Sequence, residues 1–229
     1  MSNQLSLKQI ATIYTDFPEK FGIPRQSGLA AASGKIVFEP EYRVKEALRG
    51  LEEYSHLWLL WGFSEVKMEK WSPTVRPPRL GGNTRMGVFA TRSPYRPNPV
   101  GLSSVKYEGM EDTEEGTVLY VSGVDMLSGT PIYDIKPYLA YVDSHPDAED
   151  GFAGKKRDYK LDVEVTEEVL QILPKEKQAL LVELLSQDPR PAYQKDEQRV
   201  YGMSFAEFEV HFKVQENQLY VTEIRRSDV

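Results

Sequence analysis

The 229-residue sequence predicts a mainly β chain that ends in a small α+β unit. Three observations carry this reading. Several short segments alternate apolar and polar residues with the two-residue period of a half-buried strand. Prolines and glycines crowd the stretches between them. The longest run of helical spacing, Thr166 to Ser186, falls late in the chain, ahead of a closing hairpin.

Residues 7–14 alternate well enough to predict a strand, and Gly22, Pro24 and Gly28 mark a loop through FGIPRQSGL. Glu41 to Leu48 has helical spacing after Pro40 and stops at Gly50, as a short helix with a following glycine does. Tyr54 to Phe63, YSHLWLLWGF, is short, aromatic and almost wholly apolar, which favours a strand covered on both faces. Between Trp71 and Ser104, six prolines and four glycines leave RMGVFAT and LSSVKYE as strands set in long, rigid loops. Glu108 to Gly116 reads as an acidic, solvated turn, and TVLYVSG after it as the return strand of a hairpin. The loop DMLSGTP leads into IYDIKPYLAY, and the polar DSHPDAEDGFAGKKRD reads as a linker. The expected division is therefore 1–144 and 145–229, with the boundary near Ser144. Beyond it, Thr166 to Ser186 suggests two helices broken at Pro174, and FEVHFKVQ and LYVTEIRR form a hairpin turning at Glu216, Asn217 and Gln218.

Composition narrows the function classes. Hydrophobic residues at 40% and charged residues at 28% suit a globular chain. No stretch approaches the roughly 20 apolar residues of a membrane helix, and the N-terminus lacks the pattern of a secretory signal, so no membrane partner is expected. The absence of cysteine excludes disulfides, cysteine nucleophiles and thiolate zinc sites, and points to a reducing, cytoplasmic setting. His56, His145 and His211 stand apart without a metal-ligand spacing, so no metal is expected. Neither GxGxxG, GxxxxGK[ST] nor GxSxG occurs, which removes the common dinucleotide, phosphate-loop and serine-elbow readings.

A net charge of −7 weighs against nucleic acid as a partner, but its distribution does not. From Arg76 to Lys106 the chain carries Arg76, Arg79, Arg85, Arg92, Arg96 and Lys106 with no Asp or Glu among them. Such a segment suits an anionic ligand, because guanidinium offers a planar donor fork to phosphate or carboxylate. Neutralisation of local carboxylates is the alternative that composition leaves open. Phe89, Tyr95, Tyr133, Tyr138 and Tyr141 lie near these cations and are candidates to stack on a base; Tyr138, beside Lys136 and Pro137, stands out.

The segments FGIPRQSGL, GLEEYSHLWLLWGF, TVRPPRLGGNTRMGVFATRSPYRPNPVGLS, DIKPYLAYVDS and DPRPAY together resemble the TsaA-like, or TrmO-type, tRNA methyltransferases over nearly the whole chain. That resemblance implies a single-sheeted, antiparallel β-barrel-like domain that binds S-adenosylmethionine, a small C-terminal α+β domain, and a homodimer with the cofactor pocket close to the interface. It also implies methylation of the exocyclic nitrogen of N6-threonylcarbamoyladenosine at position 37 of threonine tRNA. Carried over residue by residue, the cofactor would meet Arg25, Gln26, Phe63, Ser64, Arg92, Leu102, Asp125, Met126, Leu127, Ser128, Gly129 and Thr130. The family commonly has His where this chain has Ser64 and Asp where it has Ser128. Candidates for a base are Asp134, Tyr138 and Tyr193; those for contact with RNA are Arg76, Arg79, Arg85, Lys136 and Arg190. A non-catalytic RNA-binding or cofactor-sensing protein on the same barrel is the alternative.

Overall fold

The computed structural model describes residues 5–67, 70–80, 83–154, 159–190 and 196–227. Six antiparallel strands close into a barrel: β1 (Ala11–Thr15), β2 (Ser33–Phe38), β3 (His56–Gly62), β6 (Val100–Thr113), β7 (Gly116–Ser122) and β8 (Thr130–Pro137). Around the barrel the order is β1-β2-β7-β6-β3-β8, and β8 pairs back onto β1. Two short strands, β4 (Thr74–Val75) and β5 (Met86–Gly87), form a separate ribbon between β3 and β6. The barrel is filled by Ala11, Ile13, Ile36, Leu57, Leu59, Trp61, Val105, Leu119, Val121 and Ile132, all buried. Closure leaves no strand edge for another chain to extend.

After β8 come α1 (Ala140–Asp143), β9 (Asp162–Glu164), α2 (Glu167–Leu170), α3 (Lys175–Ser186), β10 (Tyr201–Phe205), β11 (Phe208–Gln215) and β12 (Gln218–Arg226). The last three strands and β9 form a sheet in the order β10-β11-β12-β9, with β9 parallel to β12. The mainly β fold with a barrel and few helices is as expected, and so are the helix break at Pro174 and the closing hairpin.

The sheet and the barrel share one buried cluster. Phe21, from the loop after β1, lies parallel to Phe212 of β11 at 6.4 Å. Gly22 makes this approach possible: its φ is +97°, and a Cβ there would collide with the Met203 sulfur. Lys177 of α3 pairs with Asp16 at 2.7 Å, and the carbonyl of Asp16 accepts from the Ala206 amide at 2.7 Å. Phe212 is fully buried, with Tyr201 stacked on it at 5.5 Å. Phe212→Ala is expected to cost about 3–5 kcal/mol, to be read as a lowered denaturation midpoint in urea.

Several elements differ from the sequence reading. The first strand is shorter than residues 7–14, beginning at Ala11. Glu41 to Leu48 is not one helix but two 3-10 turns, Pro40–Tyr42 and Lys45–Leu48, because Val44 between them is extended at φ −112°, ψ 113°. RMGVFAT is a strand only at Met86–Gly87; Val88 then turns into the core, with its amide bonded to the Pro73 carbonyl at 2.9 Å. The acidic run from Glu108 is not a turn, since β6 continues to Thr113 paired against β7. Its carboxylates face outward on local partners: Glu108 on Lys106 and Ser122, Asp112 on Lys45 and Thr117.

Candidate functional site

Strand alternation decides which loops meet. β1, β3 and β7 run one way and β2, β6 and β8 the other, so the connections 16–32, 63–99 and 123–129 all emerge at one end of the barrel. These are the loops that carry PRQSGL, the arginine-rich segment and DMLSG. Loops on a rigid scaffold can vary in sequence while their positions stay fixed.

At this mouth, Trp61, Ser103 and Asp125 form a hydrogen-bonded relay. The Trp61 indole Nε1 donates to Ser103 Oγ at 2.9 Å, and that hydroxyl donates to Asp125 Oδ1 at 2.6 Å. Gly101 is required locally, because any Cβ there would overlap the Trp61 ring that lies across it. The amide of Ser27 also donates to the Asp125 carboxylate. Burial pushes the Asp125 carboxyl above the usual range, against the opposing pull of Ser103, the Ser27 and Asp125 amides, and the charge of Arg92. Arg92 Nη1 donates to Gln26 Oε1, and Gln26 Nε2 to the Arg25 carbonyl. Arg25, Gln26, Arg92 and Asp125 are thus linked through three separate loops.

Phe63 is half-buried, its ring edge-on to Trp61 at 4.4 Å, and Ser64 is exposed just beyond it. The 125–130 loop is anchored to β1 mainly through its backbone. Thr15 Oγ1 donates to the Met126 carbonyl at 3.0 Å, the Ser128 amide to the Phe17 carbonyl at 2.8 Å, and the Gly129 amide to the Ile13 carbonyl at 2.8 Å. Ser128 Oγ accepts from the Thr15 amide at 3.2 Å, and Thr130 Oγ1 donates to the Leu127 carbonyl at 2.7 Å. The side chains of Met126 and Thr130 are buried, Leu127 is half-buried and Gly129 is exposed.

The remaining candidates lie apart from this cluster. Leu102 points outward from β6 and is 56% exposed. It shares a row on the outer face with Leu60 and Asp134, which pair through β3, so Leu102 and Asp134 stand about 10 Å apart. Asp134 forms a 2.9 Å ion pair with Lys136, and both are solvated. That hydrogen bond pushes the Lys136 ammonium upward. Tyr138 packs on Trp58 at 5.5 Å and its amide bonds the His56 carbonyl, placing it about 20 Å down the barrel from the mouth.

Arg190, expected to contact RNA, instead grips Asp188 with Nε and Nη2 at 2.8 and 3.0 Å, its side chain only 11% exposed. Asp188, at φ +52°, accepts from Tyr159 Oη at 3.2 Å, and its carbonyl from Arg25 Nη2 at 2.6 Å. Arg25 therefore ties the mouth to the C-terminal unit. Arg76 and Arg85 are exposed on the β4–β5 ribbon. Tyr193 and the Arg79 side chain fall outside the described residues.

Sequence reasoning missed Ser27, Trp61, Ser103 and Asp188. One signal was available for Ser103: in LSSVKYE it occupies the inward register shared with Gly101 and Val105, where a core strand would ordinarily carry an apolar side chain. A cleft of about 990 Å³ between β1, β2, β7 and α3, lined by Tyr14, Lys35, Tyr120, Lys177 and Glu183 among others, shares no residue with the mouth cluster. Among the described residues no group of three or more His, Cys, Asp or Glu is arranged to hold a metal ion, and no helix is long and apolar enough to cross a membrane.

Comparison with known proteins decides the family. Residues 12–144 match the model of the tRNA-methyltransferase O N-terminal domain, and residues 158–227 that of the TrmO C-terminal domain. The chain belongs to the TrmO family. It is 42% identical to the tRNA (adenine(37)-N6)-methyltransferase of Escherichia coli, covering 93% of this chain and 94% of that one. It is 44% identical to a putative S-adenosylmethionine-dependent methyltransferase, RcsF, of Pseudomonas aeruginosa, over 90% and 91% of the two chains. The crystal structure of TrmO from Pseudomonas aeruginosa superposes with a TM-score of 0.80 at 34% identity, covering 99% of each chain. That superposition takes in the barrel and the C-terminal unit alike.

Proposed function

We propose that this chain transfers a methyl group from S-adenosylmethionine to the exocyclic nitrogen of adenosine 37 in tRNA, with N6-threonylcarbamoyladenosine of threonine tRNA as its substrate. The observation that carries the reading is the meeting of Gln26, Arg92 and Asp125 at the mouth of a barrel of this family. Their chemistry fits the cofactor. The Asp125 carboxylate can accept from hydroxyl or ammonium groups, the Arg92 guanidinium can pair with a carboxylate, and Phe63 offers a half-buried ring for a base.

When bound, S-adenosylmethionine supplies an electrophilic methyl on a sulfonium. The protein's task is then to hold the acceptor nitrogen in line and to accept its proton. Asp134 is the base we favour, because its row on the outer face includes Leu102 and adjoins the mouth. Tyr138 and Tyr193 are the alternatives. Arg76, Arg79, Arg85 and Lys136 are assigned to RNA phosphate or the threonylcarbamoyl carboxylate. Arg190 is assigned instead to bracing Asp188, since its guanidinium is already committed there.

Two domains dividing near Ser144 and a cytoplasmic location belong to the same reading, the latter supported by the lack of cysteine. So does a homodimer. The outer face of β6, β3 and β8 leaves Leu102 56% exposed, α1, held beside it by the Trp58–Asp143 hydrogen bond, leaves Tyr141 and Val142 85% and 50% exposed, and Tyr138 lies there far from its own mouth. Antiparallel pairing across that face would carry each protomer's Tyr138 toward the mouth of its partner. Light scattering at micromolar concentration tests it, and a monomer would refute it.

Arg92→Ala is expected to weaken S-adenosylmethionine binding about tenfold or more, measured by calorimetry. Unchanged affinity would remove Arg92 from the pocket. The decisive experiment is mass spectrometry of nucleosides from threonine tRNA, with and without its threonylcarbamoyl group, after incubation with protein and S-adenosylmethionine. One added methyl on the modified adenosine alone is the expected result. Cofactor binding without methyl gain on either tRNA would favour the non-catalytic reading.

A further inference from the structure

We propose that the β4–β5 ribbon is an RNA-binding arm, in which Trp71 and Phe89 form a platform for an unpaired base next to the target adenosine and Arg76 and Arg85 hold the adjoining phosphates. The proposal rests on the tRNA reading above.

The first support is charge. β4 and β5 pair through Thr74 with Gly87 and Val75 with Met86, so continuing the register sets Arg76 opposite Arg85. Like charges directly opposed across a strand pair are destabilising unless an anion lies between or upon them. No acid falls between residues 76 and 106, and no ion pair involves Arg76 or Arg85 among the described residues. Arg85 is held in place by a 2.9 Å bond from Nε to Thr74 Oγ1, which leaves its terminal nitrogens to reach outward.

The second support is independent of charge. Trp71 and Phe89 lie at the base of the ribbon, 50% and 73% exposed, with ring centroids 6.4 Å apart and planes tilted by 33°. Two large rings left side by side in solvent forgo the stabilisation of burial. Nothing in the barrel needs them there, because Val88 does the anchoring: it is buried, and its amide bonds the Pro73 carbonyl at 2.9 Å. Exposed rings beside unopposed cations are the two components of a surface for single-stranded nucleic acid, since stacking holds the base while the cations track the backbone.

Placement completes the case. Phe89 precedes Arg92 by three residues, a chain distance of at most about 10 Å, and Arg92 contacts Gln26 at the barrel mouth. A base stacked on the arm therefore lies beside the residues assigned to the cofactor. An anticodon loop offers such unpaired bases on both sides of position 37. The exposed rings argue for a nucleic acid on the arm rather than a second copy: the acidic surface of another copy could meet the arginines, but its carboxylates offer nothing to stack on Trp71 and Phe89.

The test is a fluorescence titration with the anticodon arm of threonine tRNA carrying 2-aminopurine at position 38, run at two salt concentrations. Wild-type protein should quench the probe. The double variant Trp71→Ala/Phe89→Ala should lose the quench and bind about tenfold to hundredfold more weakly with an unchanged salt slope. Arg76→Ala/Arg85→Ala should instead keep the quench and flatten the slope of log affinity against log salt by about 0.7 per lost phosphate contact. All variants should retain wild-type S-adenosylmethionine affinity, which certifies the fold, and Trp71→Phe/Phe89→Tyr should restore quenching. Wild-type quenching and affinity in the alanine double variant would overturn the arm while leaving the tRNA reading intact. A changed oligomeric state with unchanged RNA affinity would assign the rings to a second copy and overturn it too. Failure of wild-type protein to bind the RNA at all would instead overturn the tRNA reading, and the arm with it.

Discussion

Asp125→Ala is expected to weaken S-adenosylmethionine binding by about one to two orders of magnitude, the scale of one charge-assisted hydrogen bond or two modest ones. The carboxylate is the acceptor at the end of the Trp61–Ser103 relay, and it is held by Ser27 from a second loop. Ser103→Ala should have the same direction and smaller size, because it removes a donor that orients Asp125 without removing the carboxylate. Calorimetry with S-adenosylmethionine checks both, and an Asp125→Ala protein that binds normally would refute the pocket.

Stability should respond to pH in a way that identifies the same residue. Burial raises the folded carboxyl above its usual value of 3.8, so the folded state holds the proton more tightly than the unfolded one. The stability tied to this group is complete below pH 3.8 and is lost as pH rises through the elevated folded value. Relative to Asp125→Asn, which does not titrate, the wild-type protein should therefore lose stability as pH rises from about 3.5 toward neutrality. Paired denaturation curves across that range measure the difference, and a difference independent of pH would show that Asp125 is not perturbed.

Asp134→Ala is expected to slow methyl transfer by about 10²- to 10⁴-fold, the range for loss of a positioned general base, while cofactor affinity stays within about twofold. Asp134 stands on the outer face rather than inside the mouth relay, so its removal leaves Trp61, Ser103 and Asp125 untouched. Single-turnover rates with saturating tRNA separate the two effects. A normal rate would pass the role to Tyr138 or Tyr193.

Much of the fold was legible because its signals are local. Alternation marked the strands around Ile13 and Leu119, a short aromatic and apolar run marked the one around Leu59, and Pro174 marked the helix break, since each depends on neighbouring residues alone. β2, SGKIVF, lacks that pattern: it ends in Ile36, Val37 and Phe38, three consecutive buried residues, so alternation did not mark it. The acidic run after Glu108 was misread because its charges suggested a turn, whereas the end of the β6–β7 hairpin exposes Met110, Glu111 and Asp112 in succession, so acids stand on either face while the backbone stays paired. Val88 illustrates the opposite failure, an apolar residue in an apparent strand that instead lies buried at the start of a 3-10 turn.

The sequence by itself determined the family, the barrel class and the loops in which the candidate residues lie, because motif order and strand period survive without any knowledge of long-range contacts. Only the tertiary structure decided how those residues are grouped. Closure of six strands with alternating direction brought Gln26, Arg92 and Asp125 together from three loops, turned Leu102 and Asp134 to the outer face, and carried Tyr138 toward the far end. It also gave Arg190 to Asp188. The physical reason is that side-chain partnership depends on register and burial between segments far apart in the chain, and residue type alone does not encode either.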